Sequence, residues 1–288
     1  MTSTFSMSGK RLAAASALLL GAVLLSPTAL AAQETSRFLP AREYFPTLFA
    51  DPRQPTTAAK LVYATDSPTQ FGSIVEGEAA FGASVPIYRL AGKSLEDALV
   101  LGVEGGVFAR FNMETVEKDL ITTDWVFAVP LVLHRGGNWL RLRYYHTSAH
   151  LGDEYMTRFE TLRVVYARDA FELLGWWQAR PWIGLYGGGG WAFKPDPPEH
   201  DPFTLRAGLQ AQGVDKKTVR PYGAADVLWD QQNDWTPRFS LQAGILLSVV
   251  GSSRDIRIGA EFVTGPAPQG QFNSRETTYL SLGFYLDL

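Results

Sequence analysis

The end of the chain alternates strictly between apolar side chains and polar or small ones. Leu280, Leu282 and Phe284 share one parity, whereas Ser281 and Gly283 belong to the other. Residues two apart lie on the same face of a β-strand, so the pattern predicts a strand with one face in an apolar environment. The alternation recurs at 99–110, 203–210, 240–248 and 255–262. Segments of about ten residues are long enough to cross a membrane as tilted strands.

The first thirty-one residues have the features of an export signal. Lys10 and Arg11 precede an apolar run, and Ala29-Leu30-Ala31 is a small-x-small cleavage site. This predicts a secretory signal peptide over 1–31, cleaved after Ala31. After the signal, no run of about eighteen apolar residues occurs, so the sequence predicts no transmembrane helix. We therefore expect three parts, namely the signal, a proline-rich periplasmic N-terminal arm over 32–55 and a β-domain over 56–288. The alternatives for the arm are a segment that latches the mouth of the barrel and a plain linker.

Composition excludes several classes of function. The chain has no cysteine, which excludes disulfide scaffolds, thiolate metal sites, cysteine nucleophiles and a lipidated N-terminal cysteine. Signal cleavage removes two of the 26 basic residues and none of the 29 acidic ones, which leaves an acidic protein without a basic patch. We therefore expect no nucleic-acid partner.

Two all-β architectures show such alternation. A soluble sandwich normally has shorter strands, of about five or six residues, and a polar outer face. Here the polar parity carries charges of both signs, and all eight tryptophans lie near predicted strand ends, as in interfacial girdles. We predict a transmembrane antiparallel up-and-down β-barrel of about twelve strands, in the outer membrane of a Gram-negative bacterium. The predicted strands are 56–66, 72–89, 97–110, 122–135, 138–150, 158–178, 181–193, 202–212, 219–229, 238–250, 254–264 and 277–288.

Charged residues of the inward parity are expected to face a narrow lumen. They are Glu76, Glu78, Glu104, Asp124, Arg141, Arg143, Arg206, Asp226, Arg257 and Glu261. One interpretation is a compensating ionic network that fills the interior, in a barrel with a structural or envelope-related role. The alternative is a narrow pore for a small charged solute.

A potential dyad lies on the predicted strand 138–150. His146 and Ser148 are two residues apart and share a face, which is the minimum geometry for a hydroxyl nucleophile beside a base. The parity of Leu140 and Leu142 places that face toward lipid, and the parity of Leu162, Val164 and Tyr166 places the even positions of the next strand toward lipid as well. The alternative is an interfacial polar patch, in which Tyr144 and His150 also contact lipid or the head groups of lipopolysaccharide.

Several sequence blocks resemble the domain-of-unknown-function 1207 family of proteobacterial outer-membrane proteins. The resemblance covers nearly the whole mature chain and implies a barrel in the outer membrane, without an established activity. The blocks are Phe45-Pro46-Thr47-Leu48-Phe49-Ala50-Asp51-Pro52-Arg53, Tyr145-His146-Thr147-Ser148-Ala149-His150-Leu151-Gly152-Asp153-Glu154, Tyr186 with Gly187 to Gly190, Arg220-Pro221-Tyr222, Asn233-Asp234-Trp235 and Leu282-Gly283-Phe284-Tyr285-Leu286-Asp287-Leu288.

The dyad region, over about twenty residues, also resembles the His-x-Ser sites of outer-membrane phospholipase A and of the lipid A deacylase. By that resemblance Ser148 is the nucleophile and His146 the general base, and Glu160 on the next strand orients the imidazole. These families usually have Asn after the serine, where this chain has Ala149.

The residues alone identify no oxyanion donor and no firm cofactor. A calcium ion on Asp153 and Glu154 is a candidate substitute for the missing donor, because hard cations prefer oxygen ligands. The expected partners are outer-membrane lipids, lipopolysaccharide and the barrel assembly machinery, and the oligomeric state is left open. The function classes therefore stay open between a structural barrel, a narrow pore and a lipid acyl hydrolase.

Overall fold

The structure is a computed structural model, and it describes residues 36–72, 74–163, 165–214, 218–248 and 255–287. Within these residues twelve antiparallel strands form a closed barrel in which each strand pairs with its neighbours in sequence, and β1 pairs with β12. The strands are β1 (Thr57–Asp66), β2 (Ile74–Ser94), β3 (Asp97–Asn112), β4 (Leu120–Arg135), β5 (Asn138–Leu151), β6 (Tyr166–Arg180), β7 (Ile183–Asp196), β8 (Phe203–Gln212), β9 (Val219–Asp230), β10 (Pro237–Ser248), β11 (Asp255–Pro266) and β12 (Glu276–Leu286). The predicted fold class and strand number are confirmed.

The two ends of the barrel differ in the length of their connections. Two-residue turns join β2 to β3, β4 to β5 and β6 to β7, at the end where β1 begins. The connections at the opposite end are longer, and one of them contains the helix α1 (Asp153–Phe159). Outer-membrane barrels have short periplasmic turns and longer outer loops, so the two ends are named periplasmic and outer accordingly.

The two faces of the wall follow the predicted parity. On β5, Leu140 and Leu142 are exposed on the outside, whereas Arg141 and Arg143 are buried inside. Closing the sheet leaves no unpaired edge strand, which a membrane-spanning sheet requires. Among the described residues, none of the helices has the length and apolar character that a membrane crossing requires.

The predicted strand 158–178 is the main error in the strand list. Residues 153–159 form α1 instead, and β6 begins only at Tyr166. Tyr155 and Phe159 are four residues apart, so one helical face packs them together against Phe71. This apolar contact between outer loops overrides the strand pattern. It also reverses the expected parity, because Tyr166 faces the lumen rather than lipid.

Residues 40–56, here named the plug, fill the lumen instead of forming the expected periplasmic arm. The chain enters at the periplasmic end, where Phe38 forms a bridge with Tyr88 of β2. Inside, Phe49 N donates to Gln210 Oε1 at 3.0 Å, and Arg53 Nε reaches Pro268 O in an outer loop at 2.9 Å. A proline-rich segment can stay irregular inside a barrel when side chains of the wall that face the lumen form hydrogen bonds with its backbone groups.

The periplasmic half of the lumen is closed by aromatic packing. Tyr44, Phe45 and Leu48 of the plug are buried in one cluster with Trp139 and Tyr186 of the wall. Phe45 packs so closely on β3 that a Cβ at Gly102 would lie 2.6 Å from its ring. Trp139 stacks on Trp176 with ring centres 5.7 Å apart. Trp139 and Trp176 therefore line the lumen, and assigning all eight tryptophans to interfacial girdles was wrong for these two.

Candidate functional site

A polar cluster lies on the lipid-facing side of the wall, near the outer ends of β5 and β6. His146 and Asp169 are directly opposite in the antiparallel ladder. His146 Nδ1 lies 3.0 Å from Asp169 Oδ1, with side-chain exposures of 43% and 20%. An imidazole that donates from Nδ1 to a carboxylate presents Nε2 as its free acceptor, which is the tautomer a general base requires.

Ser148 lies beside His146 on the same face. It is opposite Ala167 on β6 and Trp125 on β4. Among the described residues, Ser148 makes no hydrogen bond to His146. The two side chains are therefore neighbours on one face of β5, but the hydrogen bond of a catalytic dyad is not formed. Catalytic hydrogen bonds often tighten only when substrate is bound, so this geometry is compatible with a nucleophile and its base.

Asp169 holds a second group besides the imidazole. The Tyr144 hydroxyl donates to Asp169 Oδ1 at 2.7 Å. The Tyr144 ring in turn lies 5.9 Å from Phe171 and 6.3 Å from Phe193, measured between ring centres. The carboxylate is therefore fixed by two donors at the border of an aromatic surface.

An apolar groove of about 500 Å³ begins at this aromatic surface. Its floor is Gly189, which is opposite Leu173 on one side and Leu205 on the other. Phe171 and Trp191 form part of its walls. The glycine run 187–190, which is no phosphate loop, thus leaves room beside the polar cluster on the lipid face.

Glu160 does not join the cluster. It follows α1 in the left-handed region, with φ 48°, and lies outside β6. The structure places Asp169, rather than Glu160, opposite the imidazole of His146. The sequence contains a signal for this partner, since Asp169 is the acidic residue that an antiparallel register brings across from His146.

The other predicted rim residues are placed as follows. His150 is exposed at the outer end of β5, on the same parity as His146. Asp153 and Glu154 are in the first turn of α1, where carboxylates interact favourably with the helix dipole. Within the described ranges, no group of three or more His, Cys, Asp or Glu side chains is arranged to hold a metal ion. Calcium binding at Asp153 and Glu154 therefore remains a prediction.

The lumen contains the ten charged residues expected there, all of them buried. Lys60 Nζ lies 2.6 Å from Glu78 Oε1, and Arg110 Nη1 lies 2.8 Å from Glu76 Oε2. Around the wall, further ion pairs and tyrosine hydrogen bonds include Arg141–Glu172 at 2.9 Å, Arg143–Glu104 at 3.1 Å, Arg257–Asp287 at 2.9 Å, Tyr279–Glu261 at 2.8 Å and Tyr186–Asp226 at 2.7 Å. Sequence parity missed Glu172 because it assigned the wrong face to β6.

The plug enters this network through Asp51 and Arg53. Arg53 lies 2.8 Å from Asp124, and Asp51 accepts a hydrogen bond from Arg206. Burial by itself raises the pKa of the Asp51 carboxyl, but the charge and hydrogen bond of Arg206 outweigh it and lower the pKa to about 2. The plug is thus fixed by ionic contacts at its tip and by aromatic packing nearer its entrance.

The family of the chain follows from its sequence as a whole. A family model described as protein of unknown function DUF1207 matches residues 23–287. The chain belongs to the DUF1207 family. No curated protein sequence matches it.

Solved structures show the same fold at low identity. Outer membrane phospholipase A from Escherichia coli is 11% identical, with a TM-score of 0.54 over 92% of this chain and 99% of that chain. The calcium-bound phospholipase dimer from Salmonella typhi has a TM-score of 0.52, with 11% identity over 92% of this chain and 99% of that chain. KdgM porin is 8% identical over 81% and 99% of the two chains, with a TM-score of 0.46. The fold is that of outer-membrane β-barrel proteins.

Proposed function

We propose that this chain is an outer-membrane lipid acyl hydrolase with Ser148 as nucleophile, His146 as general base and Asp169 as the residue that positions the base. The observation that carries the proposal is the His146–Asp169 hydrogen bond of 3.0 Å beside Ser148 on the lipid face. A serine hydroxyl is a weak nucleophile by itself and requires such a base. Ionisable groups facing lipid are costly and commonly functional.

The groove indicates the class of substrate. It runs from Phe171, two residues from Asp169 on the same face, toward Leu173 and Leu205, deeper along the wall. An acyl chain aligned with lipid in the outer leaflet would lie in the groove and place its ester near the rim, beside Ser148. A phospholipid or the acylated part of lipopolysaccharide has this arrangement of ester and chain.

The reaction follows from the positions of these atoms. Ser148 Oγ attacks the ester carbonyl while its proton moves to His146 Nε2, and Asp169 stabilises the imidazolium that forms. Collapse of the tetrahedral adduct releases the alcohol, which takes the proton from His146. Water, deprotonated by the same imidazole, then attacks the acyl-serine; the C–Oγ bond breaks, the proton passes from His146 to Ser148 Oγ and the fatty acid is released. The similar solved structures of outer membrane phospholipase A are consistent with this chemistry on this fold.

The same proposal includes the setting of the enzyme. We infer that the signal is cleaved after Ala31, that the assembly machinery inserts the barrel, and that Tyr144 and His150 contact lipid head groups at the rim. Mass spectrometry of the protein purified from outer membranes tests the first step. A mature chain beginning at Ala32 is expected, and an intact signal would contradict it.

The decisive experiment measures fatty-acid release from phospholipid and from lipid A by the refolded full-length barrel, with calcium and with a chelator. We expect release by the wild type and none above background by Ser148→Ala. Thr147→Ala is the matched control, because Thr147 is the adjacent hydroxyl, bonds to Trp125 O and lines the lumen. Equal release by the wild type and Ser148→Ala, or none from either substrate, would refute the proposal. Loss of release with the chelator would favour the calcium prediction.

A second candidate, a closed barrel with a structural role, is favoured by the plug. The space between the plug and the wall around Lys60, Glu78 and Glu261 is about 10 Å³, which is close to the volume one water molecule needs. We expect the wild type to conduct no ions in a planar bilayer. Replacing residues 41–50 by a Gly-Ser segment should create measurable conductance, and an open channel in the wild type would support the pore instead.

A further inference from the structure

The outer half of the lumen contains a cavity of about 140 Å³ that the proposed hydrolase does not use. Its floor is formed by Asp51 and Arg53 of the plug, and loop residues such as Asn233 and Asn273 line its outer side. We name it the outer cavity. Its volume is similar to the cavities of about 150 Å³ that accept a molecule the size of benzene.

The charges lining the outer cavity do not balance. Four lining carboxylates are each paired with one lining arginine. The pairs are Arg53–Asp124 at 2.8 Å, Arg143–Glu172 at 3.3 Å, Arg168–Asp230 at 2.7 Å and Arg206–Asp51. Arg238 on β10 is the fifth lining arginine. Once the four pairs are formed, no lining carboxylate is left for it.

Arg238 makes no hydrogen bond and no ion pair at contact distance with the residues that the structure describes, although the charges of Asp51 and Asp226 act on it from farther away. It is only 9% exposed, its Nε is buried without an acceptor, and no carboxylate oxygen lies within ion-pair distance. Asp226, which is also buried on the inner face, pairs with Arg206 at 3.7 Å and accepts from Tyr186. A buried guanidinium without an anion in direct contact is costly, so the site gains free energy when an anion binds to Arg238.

Other unpaired donors line the same cavity, and one of them is an amide. The Nδ2 of Asn273, in the loop between β11 and β12, is buried without an acceptor. A guanidinium and an amide NH₂ both donate hydrogen bonds, and neither accepts through these nitrogens. One lining acceptor, Asp124 Oδ1, is also buried without a partner, but the unpaired lining donors of the described residues outnumber it. The site therefore favours a ligand that offers acceptor oxygens and negative charge.

We propose that the outer cavity binds a small soluble oxyanion, a phosphate or a short carboxylate, through the guanidinium of Arg238, with Asn273 as an additional donor. The planar fork of arginine matches two oxygens of either group. The wall separates the cavity from lipid, so the ligand is a free solute entering from the outer side. The plug closes the other end, so the bound anion is retained rather than conducted.

The test measures binding of inorganic phosphate and of succinate to the detergent-refolded barrel by isothermal titration calorimetry, with chloride at matched ionic strength as the reference. We expect saturable binding with one site per chain for at least one of the two anions. Arg238→Gln should weaken it about tenfold or more, because a charged hydrogen-bond donor is lost. Arg163→Gln is the matched control, since Arg163 is exposed in an outer loop.

Two further variants keep the test decisive. Arg238 has no ion pair to lose, so its replacement is expected to leave the barrel folded, which gel mobility with and without heating checks. Arg238→Lys keeps the charge but loses the fork, and it should bind with an affinity between those of the wild type and Arg238→Gln. Ser148→Ala should bind the anion like the wild type, which separates this site from the hydrolase. Absence of saturable binding, or equal affinity in both Arg238 variants and the wild type, would overturn the proposal.

Discussion

The lumen and the lipid face use buried or partly buried charges in opposite ways. In the lumen, Lys60 contacts two carboxylates and Arg257 is enclosed by Asp287 and the rings of Phe49 and Tyr285. On the lipid face, one carboxylate contacts one imidazole and one tyrosine hydroxyl, and the imidazole keeps a nitrogen free. Most lumen charges thus have an ion-pair partner inside the barrel, whereas the lipid-facing imidazole has one nitrogen without a hydrogen-bond partner among the described residues.

This difference separates stability from activity. A buried ion loses several favourable contacts at once when a partner is removed, so lumen residues should control the free energy of unfolding. A partly exposed pair contributes little to stability but orients a reactive group, so Asp169 should control turnover. The following variants test each half of this comparison.

The largest effect is expected from Asp169→Asn on lipid hydrolysis. Loss of the carboxylate removes the acceptor that fixes the His146 tautomer, and turnover should fall about a hundredfold to ten-thousandfold. Glu160→Gln is the matched control, because Glu160 is outside β6, and it should retain wild-type turnover. The initial rate of fatty-acid release measures both. A loss in Glu160→Gln with normal turnover in Asp169→Asn would restore the partner expected from sequence.

Arg257→Met should be the most destabilising lumen change. It leaves Asp287 without its guanidinium partner, so the free energy of unfolding should fall by about 3–5 kcal/mol. Urea unfolding in lipid vesicles, followed by tryptophan fluorescence, measures it. Arg135→Met is the control, because the Arg135 side chain is 77% exposed at the periplasmic end and should change stability by less than about 0.5 kcal/mol. Similar values for the two variants would show that the lumen pairs do not dominate stability.

Acid should weaken the attachment of the plug through Asp51. The pKa of Asp51 is lowered to about 2 from 3.8, so its contribution is fully present above about pH 4 and is lost as the pH falls toward 2. The contribution is on the order of 2 kcal/mol. Asp51→Asn should flatten the loss of unfolding free energy between about pH 4 and pH 2. An unchanged acid profile in this variant would show that other lumen carboxylates are responsible.

The smallest effect is that of Asp169→Asn on stability. The pair is 43% and 20% exposed, so its loss should lower the free energy of unfolding by less than about 1 kcal/mol. The same urea measurement gives this value beside that of Arg257→Met. A loss as large as that of Arg257→Met would make Asp169 a structural residue and would remove the separation between the two regions.

Much of this barrel could be predicted because the alternation of side chains depends only on residues that are close in sequence. Parity on β5 placed Arg141 and Arg143 inside and His146 and Ser148 outside, since a strand repeats every two residues. The same rule failed on β6, where a helix replaced the first part of the predicted strand. Glu160 was consequently placed at a register it does not have, and the actual partner, Asp169, was missed.

The sequence by itself determined the twelve-stranded barrel, the face on which each β5 residue lies and the presence of a His-x-Ser pair toward lipid. Only the tertiary structure decided that residues 40–56 enter the lumen, that Asp169 is opposite His146 and that Arg238 is left without a carboxylate. Alternation is a pattern of residues along one strand, so it can be recognised from the order of residues in the sequence alone. Partners across strands depend on the register of strand pairing, and the plug depends on the space inside the closed sheet. Both are defined only once the barrel has formed.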